Sequence, residues 1–196
     1  MDCTLEKRFA TELVRFITSV LSDGPKERTA LPLSIQQFVK NCLIIFFETL
    51  VETHSSYFET DHITREEHRI VSECFIVHAV NCDNSDRSVL SCLSSCIVLA
   101  FIGAMCLMKG AEEASHYSIV YIVRYLKTSK LLGHIDGHFF RDVYIFCEQV
   151  SKSEQSLKLY TPLTKYVEQL STEDQCISNF CGCFISCKSM NENKWI

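Results

Sequence analysis

The chain is poor in the two residues that make turns. Its 196 residues include 6 glycines and 3 prolines, about 5% of the total where average usage would give roughly 12%. Sandwiches, barrels and glycine-looped nucleotide folds need many such turns, so the shortage argues against them. Hydrophobic residues make up 47% of the chain and charged residues 22%, a globular composition. We therefore predict an all-α fold built from long helices.

The sequence also lacks the motifs of common enzyme classes. It contains no Gly-rich phosphate loop and no G-x-S-x-G nucleophile elbow. His134 and His138 have the i, i+4 spacing of a metal pair, but the glutamate of H-E-x-x-H is missing. The net charge is -5, and the sequence has no block of basic residues of the kind that binds nucleic acid. We expect a protein that is not an enzyme, needs no cofactor and binds no nucleic acid.

Cysteine is the one unusually abundant residue, with 12 in the chain. Residues 1–8 are charged and mixed, with no apolar signal-peptide stretch, so we expect reduced thiols that pack as small apolar groups. The cluster over Cys176–Cys187 does not have the C-x2-C spacing of a zinc knuckle. A structural zinc or reversible acylation of this cluster remains an alternative to plain packing.

Apolar residues recur at helical spacing along most of the chain. Thr64 and Glu67 stand at the positions of a capping box, which predicts a helix start. The pattern predicts about eight helices: 5–21, 35–54, 65–80, 88–108, 119–130, two short helices around Gly137 between 131 and 147, and a helix or half-helix over 157–170.

Residues 88–108 carry no charged side chain. Their length alone is that of a membrane span, but the first nine positions hold serines and cysteines, and only Ile97–Met108 is densely apolar. A helix that is apolar all round packs in the middle of a bundle. We therefore predict a buried central helix here rather than a membrane span.

One segment of the second helix resembles a motif of the Bcl-two family of apoptosis regulators. Leu43–Phe58 is similar to the third homology motif, with Leu43 at its anchor leucine and Phe58 at its terminal phenylalanine. Phe47 and Glu48 replace the family's small residue and Asp. These two departures disfavour a pore-forming effector, which would expose this helix and insert the central one.

Two further segments follow in the family's order. Ser94–Ala104 resembles the apolar run of the first homology motif, although Cys92–Ser95 replaces its Asn, Trp, Gly and Arg. Tyr125–Phe140 resembles the second motif, with His134 in the place of its Trp. The helix over 5–21 stands where the fourth motif would be. So few signature residues are typical of viral members of the family.

The resemblance implies a globular bundle of about eight helices around a central hydrophobic helix. It also implies a prosurvival inhibitor of apoptosis, which holds the amphipathic death-motif helix of proapoptotic Bcl-two family proteins in a hydrophobic groove. The family's groove positions fall on the second and central helices, and periodicity places two residues on the opposite wall. The predicted groove residues are Leu50, His54, Tyr57 and Phe58; Ser95, Val98 and Ile102; and Cys74 and Val77.

Ser95 stands where the family has the arginine that pairs with an aspartate of the ligand. A serine offers one neutral hydrogen bond in place of an ion pair, so affinity should fall. We expect fewer partners or weaker binding, or a substitute cation such as Arg87.

The predicted organisation is a helical domain over 1–175 and a Cys-rich C-terminal tail over 176–196. Cys176–Cys187 is shorter than the roughly 20 residues of a membrane span. We therefore expect no stable membrane span and a cytoplasmic protein, with association with mitochondria left open. An open apolar groove also favours a homodimer. The alternative from another class is a cysteine-rich zinc-binding or redox helical protein.

Overall fold

A computed structural model describes residues 4–22, 28–53, 62–81 and 89–152, without the side chains of 45–53, 78 and 81. Six α-helices and no strands occupy these residues, which confirms the all-α prediction for this part of the chain. The helices are α1 (Leu5–Leu21), α2 (Leu33–Thr53), α3 (Arg65–Asn81), α4 (Val89–Met108), α5 (Ala114–Leu131) and α6 (Phe139–Lys152).

The centre of this arrangement is α4. Every residue from Cys92 to Cys106 is buried, and α4 packs against each of the other five described helices. A helix without charge can be surrounded on all sides at no cost in desolvated ions. The predicted buried central helix is confirmed, and only its end, at Met108, is half exposed.

The first helix lies on α4 and α5 through one apolar face. Leu13, Val14 and Ile17 are buried in that face, as their helical spacing predicts. On the other side, the carboxylate of Glu12 accepts hydrogen bonds from the backbone N–H of Ala30 at 2.6 Å and from the hydroxyl of Thr29 at 3.0 Å. These bonds lower the pKa of Glu12 and fasten the segment before α2 to α1.

The second and sixth helices form a packed pair beside α4. The rings of Phe38 and Phe146 meet edge to face, with their centroids 5.4 Å apart. Cys42 and Cys147 are buried in the core that the two helices share with α4. Burial raises the pKa of Cys42, and it raises that of Cys147 to about 12. These protonated thiols act as small apolar packing groups.

The segment before α3 is anchored on the turn that joins α4 to α5. The backbone N–H of Ile63 donates to the carbonyl of Lys109 at 3.0 Å, and the Ile63 side chain is buried. Gly110 has a φ of +93°, and a Cβ there would lie 2.7 Å from His62 Nδ1. Any other residue at position 110 would therefore be strained and crowded.

The capping box at the start of α3 is confirmed. The Glu67 carboxylate accepts from the Thr64 backbone N–H at 2.8 Å, while the Glu67 N–H donates to Thr64 Oγ1 at 3.2 Å. Each residue thus satisfies a backbone donor that the first helical turn leaves open.

The prediction of two short helices around Gly137 is wrong. The fifth helix continues to Leu131, residues 132–138 form a turn, and one helix, α6, follows. Gly133, at a φ of +73°, ends the fifth helix. Asp136 accepts from the His138 backbone N–H at 2.7 Å just before α6 begins. The predicted helix over 157–170 and the tail over 176–196 lie outside the described residues.

Candidate partner-binding surface

The third helix presents an apolar stripe away from the core. Ile70, Cys74 and Val77 follow one another at i, i+4 and i+7, which places them on one side of the helix. Ile70 and Cys74 are half-buried, and Val77 is 59% exposed. Two of these positions, Cys74 and Val77, are the ones that periodicity assigned to the wall of a groove, and the structure shows them on one side of α3. Ile70 was missed, although the same spacing pointed to it.

The opposite side of α3 holds the helix in place. Val71, Phe75 and Ile76 are buried in the common core, and α3 packs on both α4 and α5. The stripe is therefore carried by a helix whose other face is fixed. An apolar row held in this way is preorganised for a partner, because it does not have to fold when the partner arrives.

A row of ion pairs runs beside the apolar stripe. Arg69 Nε donates to Glu66 at 2.9 Å, and Arg69 Nη1 donates to Glu73 at 2.8 Å. Glu73 also pairs with Arg124 of α5 at 3.3 Å. The bond to Glu66 raises the pKa of Arg69, and the bond from Arg69 lowers the pKa of Glu66. Since Arg69 already has two carboxylate partners, its charge is largely balanced before any ligand binds.

The predicted groove positions on α4 lie below the surface. Ser95 has no exposed surface, Val98 almost none, and Ile102 is buried as well. The Ser95 hydroxyl donates to the carbonyl of Ser91 at 3.0 Å, which satisfies it within the helix. These three residues share a side of α4 by spacing, but a ligand in contact with α3 alone would not reach them.

The predicted wall from the second helix lies outside the part of the chain whose side chains are described. Leu50 belongs to α2, but its side chain is outside the description. His54, Tyr57 and Phe58 lie outside the described residues, as does the candidate cation Arg87. The structure thus places five of the nine predicted positions, two on the α3 stripe and three buried in α4.

The alternative of a metal centre gains no support from the described residues. Among them, no group of three or more His, Cys, Asp or Glu side chains is arranged to hold a metal ion. His138 is exposed and His134 is partly buried in the turn between α5 and α6. The Cys176–Cys187 cluster lies outside the residues that the structure describes.

Comparisons with known proteins assign no family to the chain. No protein-family model, no curated protein and no solved structure matches the chain. One described helix, α4, is long and apolar enough to cross a membrane, and most of it is buried in the bundle. The core helix of a soluble protein has the same properties, so its length and composition do not place the protein on a membrane.

Proposed function

We propose that the chain inhibits apoptosis by binding the amphipathic death-motif helix of proapoptotic Bcl-two family proteins. The observation that carries the proposal is the apolar stripe of Ile70, Cys74 and Val77, held at the surface by a helix whose other face is buried. The proposal also uses the resemblance of three sequence segments to the family's motifs. An all-α fold around a buried helix agrees with that resemblance.

The physical basis is recognition of one helix by the face of another. A partner helix with apolar anchors at i, i+3 or i+4, and i+7 matches the spacing of the stripe. Covering Val77 and its neighbours removes apolar surface from water, at about 25 cal/mol per Å². Such anchors supply most of the affinity in this kind of interface.

The buried positions on α4 add a condition to the proposal. Because Ser95 and Val98 have almost no exposed surface, a partner helix contacts them only when the helices packed around α4 move apart. A partner that binds without this movement would rest on the α3 stripe. Substituting Ser95 with Arg would place a charge at a buried site, so it would report on folding as well as on partner choice.

Val77 offers a cleaner test because it is exposed. We expect Val77→Glu to weaken binding of a death-motif peptide at least tenfold, since the new carboxylate would be desolvated in the interface. Isothermal titration calorimetry against a panel of death-motif peptides measures this effect. Val120→Glu is the matched control, because Val120 is an exposed valine on α5.

Two results would contradict the proposal. One is that no peptide of the panel binds the wild-type protein with a Kd below about 100 μM, the weak end of helix recognition. The other is that Val77→Glu and Val120→Glu bind as tightly as the wild-type protein. Zinc content after purification separates the alternative, since one bound equivalent lost on changing Cys176 and Cys181 to Ser would favour a zinc protein.

The proposal extends to location and assembly. We propose a cytoplasmic protein that reaches its partners at mitochondria and forms a homodimer through the same apolar surface. Sedimentation velocity tests the dimer: a monomer at micromolar concentration would contradict it, and a dimer that Val77→Glu dissociates would place the stripe in the interface.

A further inference from the structure

A buried histidine lies between α3 and its neighbours. His68 has no exposed surface, and its Nε2 is 3.2 Å from the hydroxyl of Ser118 on α5. The ring meets that of Tyr121 edge to face, with the centroids 5.5 Å apart. The other ring nitrogen, Nδ1, is buried and has no hydrogen-bond partner. The neutral ring therefore fits this site with one nitrogen satisfied, and a second proton would have no acceptor.

Among the described residues, no carboxylate forms a hydrogen bond or an ion pair with His68. The fourth helix has no charged residue, and α5 presents Ser118, Tyr117 and Tyr121 on this side. A cavity of about 330 Å³ borders the ring, and its charged and titratable walls are His62, Arg65, Glu112 and Glu113.

Two of these charged walls pair with each other, and the other two are exposed. Arg65 lies 3.5 Å from Glu113 and 4.2 Å above the ring of Tyr117. Glu112 is exposed to solvent. Water screens such exposed groups, so they stabilise a buried cation only weakly.

We propose that His68 is an acid-sensitive lock, in which uptake of a second proton by the ring releases α3 from α5. Protonation would leave a charge in the core with no partner, and moving α3 outward exposes the ring to water. The consequence is a conformational equilibrium of α3 that acid shifts toward the open form. This inference does not depend on the proposed partner.

The sign of the pH dependence follows from burial. Burial lowers the pKa of His68 to about 4 from its usual value near 6.5. The closed form therefore binds fewer protons than the open form between these two values, and it loses stability as the pH falls through this window. The opening equilibrium constant should rise about 15-fold from pH 6.5 to pH 5, because the ring of the open form is already half protonated at pH 6.5.

Hydrogen exchange tests the lock on the full chain. After correction for the intrinsic exchange rate, backbone amides of residues 65–81 should open about 15-fold more at pH 5 than at pH 6.5. In α6, which does not contact His68, amides should change far less. His68→Gln should remove the pH dependence of α3, and His138→Gln, at an exposed histidine, should keep it.

Three results would overturn the lock. These are a corrected exchange of α3 that does not change with pH, an equal change in α6, and a His68→Gln protein that keeps the wild-type dependence. If His68→Gln does not fold, NMR titration of the wild-type imidazole decides. A ring that stays neutral in the folded protein down to pH 5.5 supports the lock, and a ring that titrates near 6.5 in the folded protein contradicts it.

Discussion

The third and fourth helices pack against each other, yet they use burial in opposite ways. The fourth is buried on all sides over Cys92–Cys106 and carries no charge. The third buries one face, exposes Val77 on the other and carries a row of ion pairs beside its apolar stripe. Substitutions in the fourth helix should therefore destabilise the fold. Substitutions on the exposed face of the third helix should leave the core intact.

The largest loss of stability should come from a substitution in α4. Phe101 is the largest of the fully buried side chains. We expect Phe101→Ala to lower the free energy of unfolding by about 3–5 kcal/mol, because it removes a ring and leaves a cavity. Chemical denaturation measures this loss. Val77→Ala, on the exposed stripe of α3, is the control and should cost less than about 1 kcal/mol. Equal losses of stability at the two positions would contradict the claim that burial matters more in α4 than on the exposed face of α3.

A smaller effect should come from adding one methyl group between α4 and α5. A Cβ at Gly103 would overlap the side chain of Ser118, with its Cβ 2.7 Å away. We expect Gly103→Ala to cost about 1–3 kcal/mol even though alanine favours a helix. Thermal and chemical denaturation measure the cost.

A double-mutant cycle sharpens this test. Ser118→Gly removes the two atoms that the new Cβ would overlap, so it should recover part of the loss caused by Gly103→Ala. Additive losses would mean that the two helices do not meet closely at this point. The close approach also gives a physical reason for the glycine at position 103, in the segment that resembles the first homology motif.

The smallest effect on stability should come from the beginning of α3. Thr64→Ala removes the hydroxyl that accepts from the Glu67 backbone N–H. We expect a loss of about 1 kcal/mol, as for other N-cap threonines. Thr64→Ser keeps the hydroxyl and is the matched control. A loss of the same size for both variants would show that the cap hydroxyl does not stabilise α3.

The helices that could be predicted from the sequence are those with a strong local signal. The helical spacing of Leu13 and Ile17 predicts the inner face of α1, and Thr64 with Glu67 marks the start of α3. The uncharged run before Met108 predicts the buried fourth helix. Each of these signals lies within one element, and burial or capping follows from it without knowledge of the neighbouring helices.

What could not be predicted depends on contacts between elements. The positive φ of Gly133 ends α5 and leaves no room for a separate helix before Gly137. His68 has no distinguishing neighbours in sequence, because its partner Ser118 is 50 residues away. The burial of Ser95 depends on how the other helices pack around α4, which helical spacing does not determine.

The hydrogen bond from Ile63 to Lys109 has a mechanical consequence for α3. It ties the amino-terminal end of the helix to the bundle through the backbone, with the Ile63 side chain inserted beneath. When its packed face is released, a helix that stays tied at one end rotates about that end rather than leaving the bundle as a whole. Over the roughly 25 Å length of seventeen helical residues, a tilt of about 10° carries the free end about 4 Å. The displacement is therefore greatest near Val77, toward the carboxyl end, and least at the pivot.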